Sequence, residues 1–271
     1  MVIPARSSIC CSGELVPEEP DWLLTVLADG EPFASENRFR LSGTMRIGLF
    51  PSLFLLQCWN LSDSDVFRLQ NTKELSVMRE DSCLAFGRVS DVFTETIPEG
   101  TVTVVAFSTG LDLWESRVSL SVPAGVSVSE TVRRILSASG TGIRLLSFPG
   151  RDPVFSRGQA FCGRAAECVT EALYAAGAEG YLVPAGMCVI PAEPLPATLH
   201  LGERDLTDRP AFADGGRKMI LSTTVTGFQP GEEMTLAWKG KMYSGLILER
   251  MVEADTAMGP WSMQLMVEVH R

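Results

Sequence analysis

The sequence predicts a mainly β fold with an α/β insert, in which two antiparallel β modules flank a helix-containing middle segment. Three observations carry this. Residues 39 to 122 and 218 to 271 are strings of short segments rich in β-branched and aromatic residues, punctuated by Gly, Pro, Asn and Asp. Between them the hydrophobic period turns helical at Ser127 and again near Ala160. The chain is 45% hydrophobic, enough for a packed interior. Its apolar runs, such as Leu53 to Leu56, fall far short of the roughly 20 residues of a bilayer-spanning helix.

Taken in order, residues 1–38 mix Pro, Ser and acidic residues around one apolar patch, Trp22 to Leu27. This stretch reads as an N-terminal arm able to dock on a neighbouring subunit, or as a first strand of the fold. Residues 39–125 form the first β module. Leu53 to Cys58 is apolar at both parities, which predicts a strand covered on both faces. Glu74 to Met78, Thr101 to Phe107 and Ser116 to Val122 alternate more cleanly, as strands with one solvated face do. A small antiparallel barrel or sandwich is expected.

Residues 126–199 are the α/β middle domain. Ser127 and Glu130 make a capping box, and Val128, Val132, Ile135 and Leu136 share one helical face, so a helix is expected over 128–138, ended by Gly140. A second helix is expected over 160–176, with Phe161, Ala165, Cys168, Val169, Ala172, Leu173 and Ala176 on one side and Gly177 as its cap. Tyr181 to Ile190 reads as a hairpin turning at Ala185-Gly186. After the extended Pro191, Pro194 and Pro196 segment, residues 200–271 form the second β module, with strands at 219–226, 234–238, 243–252 and 261–269.

The search for reactive groups predicts no catalytic residue, no metal site and no cofactor. The two histidines are His200, in an alternating stretch, and His270, beside the C-terminus, so a nucleophile system has few possible bases. Glu18-Glu19 and Glu232-Glu233 lie in turn-like contexts and read as solvated loop charges. Asp63-Ser-Asp65 lacks the glycine and the late glutamate of a calcium loop. No phosphate-cradling glycine pattern is present. The seven cysteines, Cys10, Cys11, Cys58, Cys83, Cys162, Cys168 and Cys188, form no CxxC pair and read mainly as small core residues in a reducing compartment, with Cys10-Cys11 the exception. With 23 basic and 33 acidic side chains the net charge is -10, which argues against gripping nucleic acid and suits a surface past which DNA slides. The N-terminus shows no secretory pattern and no membrane segment, so assembly in the cytoplasm is expected.

The serial order of motifs resembles the hub proteins of phage baseplates, a family that includes the tube-like part of type VI secretion spike proteins. The features are the strand Ser82 to Val92 with its Phe86-Gly87-Arg88-Val89 core, the strand Thr103 to Ser108, and the capped helix Ser127 to Leu136. The Gly180 to Gly186 hairpin, the Pro230-Gly231 turn, the strand pair Met234 to Val252 and the Trp261 to Val269 strand follow. The resemblance runs from Phe39 to the C-terminus. It implies two tail-tube-like antiparallel β-barrel modules per chain and a homotrimer that adapts a sixfold tail tube to a threefold spike. The partners it implies are tail tube or distal tail subunits, a spike protein, baseplate wedge proteins and a tape-measure protein, with DNA only in transit. The implied location is the virion tail baseplate, after assembly in the host cytoplasm. The chain differs from the family in its acidic stretch before Phe39, its shortness and its lack of a hydrolase-like extension, so no catalytic activity is expected. Two other readings remain, a carbohydrate- or host-binding β module, suggested by five Trp, and a carboxylate-dependent hydrolase.

Overall fold

Alternation of buried and open side chains sorts the strands into walls, because successive residues of a strand face opposite ways. The computed structural model describes residues 24–33, 37–191, 195–197, 199–257 and 261–270. Cys10, Cys11, Trp22 and the Glu18-Glu19 pair lie outside the described residues. The chain begins with the hairpin β1 (Thr25–Ala28) and β2 (Glu31–Phe33). It continues through β3 (Phe39–Arg46), β4 (Ser52–Trp59), α1 (Asp63–Asn71), β5 (Glu74–Arg79), β6 (Ser82–Ile97) and β7 (Gly100–Thr109). The middle region holds α2 (Leu111–Glu115), β8 (Arg117–Val122), α3 (Val128–Ser139), β9 (Leu145–Ser147), β10 (Gln159–Arg164), α4 (Ala165–Tyr174), β11 (Glu179–Val183) and β12 (Gly186–Ile190). The last part consists of β13 (Leu199–Leu201), β14 (Ala211–Ala213), β15 (Lys218–Thr223), β16 (Glu233–Trp238), β17 (Lys241–Asp255) and β18 (Ser262–Val269).

The mainly β class with a helix-containing middle is as the sequence predicts, but the two ends do not close into separate barrels. Their strands share one 13-stranded sheet. In the first module the strands lie in the order β3-β4-β7-β6-β5, and in the second in the order β14-β15-β18-β17-β16, antiparallel throughout. These are the same five-strand topology twice. Each module is built on one long strand, β6 or β17, that enters from a two-residue hairpin and breaks register against the following strand, between Val89 and Asp91 or between Ile247 and Glu249. Such bulges bend a strand and raise its twist.

The modules fuse because β16 covers only the first half of β17, up to Leu246. The remaining edge, Glu249 to Asp255, pairs antiparallel with β3, from Glu249↔Arg46 to Asp255↔Arg40. An uncovered edge invites pairing, and here a strand of the other module fills it. Val252 and Ala254 consequently belong to the core built by Phe39, Leu41, Phe54, Leu56 and Phe107 of the first module. A separate core, with Leu201, Leu221, Phe228, Leu236 and Leu265, fills the second.

Beneath this joint lies Arg250, 1% exposed. Its guanidinium donates to the Phe228 carbonyl at 2.7 Å, the Leu84 carbonyl at 2.5 Å and the Cys83 carbonyl at 3.3 Å. One side chain thus links β17, the 224–232 loop and the start of β6. Burial pulls the Arg250 pKa down to about 10, a cost that the carbonyl dipoles offset.

The helix over 128–138 is α3: Ser127 Oγ accepts from Glu130 N at 3.3 Å, and Gly140 ends it at φ 69°. The second helix starts later than expected. Residues 159–164 form β10, paired with β8, so Phe161 is a strand residue, and α4 begins at Ala165. The hairpin turns on Pro184-Ala185, since Val183 pairs with Gly186. Helix α1 was not expected; Ser62 caps it by accepting from Asp65 N at 3.2 Å. Strand β8 pairs with β10 and stays outside the large sheet, while β1 pairs with β5 at its edge. The middle region is pinned to both ends: Gly48 N donates to Gly180 O at 2.9 Å, and Gly231 of the Pro-Gly turn lies against the Tyr181 ring.

Arg250→Ala leaves buried carbonyls without a donor, and we expect a loss of about 3 kcal/mol or more in a denaturant titration, with Arg250→Lys intermediate. A Cβ on Gly87 would lie 2.3 Å from the Ser108 backbone, and one on Gly245 would lie 2.2 Å from the Glu268 carbonyl oxygen. Gly87→Ala and Gly245→Ala should each cost about 1–3 kcal/mol by overpacking, with the larger loss at Gly87, whose φ of 156° a side chain also strains.

Candidate functional site

The prominent surface feature is a sheet face rather than a cleft. Across β15, β18, β17, β3 and β4 one face is buried and the other is more open, and cross-strand registers carry that open side across the module junction and on to β6. Strand β7 is buried at both parities from Val102 to Val105, unlike the one solvated face expected of it. Along one line Asp91 opposes Ala106, Ala106 opposes Leu55 and Leu55 opposes Ser42. Ser42 in turn opposes Glu253, and Glu253 opposes Ser262. The buried side presents Phe54, Leu56, Val105, Val252, Met263 and Leu265.

This corrects the expectation for β4. Phe54, Leu56 and Cys58 are fully buried, but Leu53 is 54% and Leu55 38% exposed. The apolar residues of the second parity belong to a face that the described residues leave uncovered. Phe93 and Met251 stand open on the same side.

Charge on this face is mixed. Asp91, Glu95, Glu249, Glu253, Asp255 and Glu268 share it with Arg38, Arg40, Arg46, Arg88 and Lys218. Arg46 Nε bonds Glu249 at 2.6 Å and Arg38 bonds Asp255 at 2.6 Å. The face therefore presents no basic strip of the kind that holds phosphates, and the acidity of the whole chain is not concentrated on it.

The residues weighed for chemistry are dispersed. His200 Nδ1 meets Thr235 Oγ1 at 2.6 Å at the surface, and His270 Nε2 meets Glu233 Oε2 at 2.7 Å. The Glu232-Glu233 pair is not a solvated loop: Glu233 opens β16 and is 7% exposed. Burial pushes the Glu232 pKa up, against an opposing hydrogen bond from Gln229 N and the charge of Arg250. Asp63 and Asp65 serve the α1 terminus, where Ser62 Oγ donates to Asp65 at 2.6 Å. Among the described residues no three His, Cys, Asp or Glu side chains converge as metal ligands.

Cys58 and Cys168 are buried, Cys83 and Cys188 half-buried and Cys162 exposed, so Cys162 departs from the core expectation. Burial pushes the Cys58 thiol up to about 12 and the Cys83 thiol up to about 11, which makes both poor nucleophiles. The described Trp residues do not form one platform. Trp59 lies under Arg38, Trp114 under Arg164, Trp238 by Lys239 and Trp261 under Arg79, in separate regions.

The resemblance implied two similar modules, but sequence reasoning missed the local motif that marks their repeat. Gly87-Arg-Val-Ser-Asp91 in β6 and Gly245-Leu-Ile-Leu-Glu249 in β17 hold equivalent places: a glycine under the returning strand, a β-branched residue, the bulge and then an acid. The pattern Gly-x-[Val/Ile]-x-[Asp/Glu] is the signal that could have found it.

Solved structures share this fold. A tail protein from Neisseria meningitidis MC58 superposes with a TM-score of 0.68 at 11% identity, covering 91% of this chain and 96% of that one. The chain has the fold of phage tail proteins. The 43 kDa tail protein of prophage MuSo2 from Shewanella oneidensis matches at TM-score 0.64 and 10% identity, over 92% of this chain and 96% of that one. An E. coli component of the type VI secretion system, described as structurally similar to the T4 bacteriophage tail proteins gp27 and gp5, matches at 0.64 and 11%, over 87% and 75%. No protein-family model and no curated protein matches the sequence. The tail-protein fold thus bears out the resemblance read from motif order, although only about one residue in ten is shared.

The open face of this tail-protein fold predicts opposite outcomes at adjacent positions. Leu53→Ser should change stability by less than about 0.5 kcal/mol, whereas Phe54→Ala should cost about 3–5 kcal/mol, both read by thermal or chemical unfolding of the isolated chain.

Proposed function

We propose that this protein is a structural hub subunit of a phage tail or related contractile injection machine. Three chains form a ring that presents six similar β modules to a sixfold tube on one side and a threefold spike on the other. The observation that carries this reading is the duplicated five-strand module fused into one continuous wall. A chain that already contains two quasi-equivalent units side by side lets three copies meet a sixfold partner, since heterologous contacts that close by rotation give rings.

The open face supports a lining or packing role. It combines exposed Leu53, Leu55 and Phe93 with paired charges, so neighbouring tail components can bury the apolar part. Phosphates meet no uncompensated basic strip on it. A tape-measure protein or DNA in transit would then pass without being held. Baseplate wedge and tail tube subunits are the proposed neighbours on the outer surfaces, in a virion baseplate put together in the host cytoplasm. The work done is assembly and alignment, with no catalytic step assigned to any residue.

Mass measurement in solution combined with low-resolution imaging tests the proposal. The expected result is a threefold ring with a central hole and six lobes, which at low salt fails to shift duplex DNA in a gel. A stable monomer with no ring at any concentration up to the solubility limit overturns it, and tight DNA binding by the ring overturns the passage role.

A further inference from the structure

The internal joint between the modules has an unfilled counterpart. In the second module, β17 outruns β16 and its Glu249–Asp255 edge is filled by β3. In the first module, β6 outruns β5 in the same way: β5 ends its pairing at Arg88, and the edge from Asp91 to Ile97 has no strand partner among the described residues. The residues of this edge are largely exposed, Phe93 at 41%. At the other end of the sheet β14, the counterpart of β3, pairs among the described residues only with β15, and all three of its residues are exposed. Among the described residues the chain therefore carries one filled slot, one empty slot and one unused plug.

We infer that the Asp91–Ile97 edge of one copy takes β14 of a second copy as an antiparallel strand, repeating between chains the joint that β17 and β3 make within one. The inference rests on the proposed ring and names the surfaces that close it. The registers fix the pairing. Met251↔Thr44, Val252↔Gly43 and Glu253↔Ser42 in the internal joint correspond to Phe93 opposite Ala213, Thr94 opposite Phe212 and Glu95 opposite Ala211. The side chains agree with this correspondence. Asp91 and Glu95 stand where β17 has Glu249 and Glu253, exposed Phe93 stands where it has exposed Met251, and Arg209 stands where β3 has Arg40. Both long strands carry acids and both plugs are preceded by an arginine, while the Arg46–Glu249 ion pair of the filled joint has no counterpart, because Gly215 stands at the place of Arg46. Strand addition of this kind draws its affinity from main-chain hydrogen bonds and its specificity from flanking side chains. The contact is heterologous, so it builds a ring when its rotation closes.

Paired cysteines test the joint directly, because directly opposed antiparallel residues lie about 4.5–5.5 Å apart at Cα, within disulfide reach. The double variant Phe93→Cys/Ala213→Cys, mildly oxidised in full-length chain, should run as a covalent trimer on a reducing-agent-free gel, and neither single variant nor the parent should do so. Asp91→Lys/Glu95→Lys should weaken ring formation by roughly tenfold or more, and adding Arg209→Glu should restore part of it. A ring of the parental mass that neither cross-links nor responds to the charge reversal overturns this joint and leaves the hub reading standing. A chain that stays monomeric overturns both.

Discussion

The structure depends on how the leftover edge of β17 is satisfied. A 15-residue strand paired with a six-residue neighbour presents unpaired backbone groups unless something covers them, and β3 does. That pairing turns two β modules into one wall and moves Val252 and Ala254 into the first module's core. It also buries Arg250, and three carbonyls gather around its guanidinium. Breaking such an arrangement from one side costs more than the arrangement contributes, because the remaining polar groups stay buried.

Duplication gives the fold its economy. Gly87 and Gly245 let the returning strand approach too closely for any side chain, and a register shift shortly after each glycine bends the long strand back over its own module. Each module encloses its apolar side and leaves the other more open, so the wall is a core boundary on one face and an open surface on the other. Leu53, Leu55 and Phe93 stand exposed on that open side.

Local signals are readable in the sequence and pairings are not. The Ser127 cap, the Gly140 stop and the alternating strands of both ends are legible because they are set by side chains a few residues apart. Helix α1 is not, because only Leu69 is buried on it and Phe67 is 68% exposed, which leaves no apolar stripe to detect. The sequence pattern places the start of α4 too early because Phe161 fits the helical face in register while its backbone pairs with Leu120 across β8. The doubly apolar β4 is legible as a strand, but sequence alone does not tell a face covered by the chain itself from one left open for a neighbour. Closure into separate barrels is the natural expectation for two β segments; their fusion is set by a contact between Arg40–Arg46 and Glu249–Asp255, some two hundred residues apart, and no local pattern encodes that.

Amide hydrogen exchange on the isolated chain tests the central claim most directly, since protection reports which segments open together. If the two modules are one wall, the amides of residues 40–46 and 249–255 that bond across the joint exchange as slowly as those of the β4–β7 and β15–β18 ladders, and they are lost only with global unfolding. Fast exchange along both segments while the ladders on either side stay protected would mean that the modules are independent bodies, and would contradict a continuous wall.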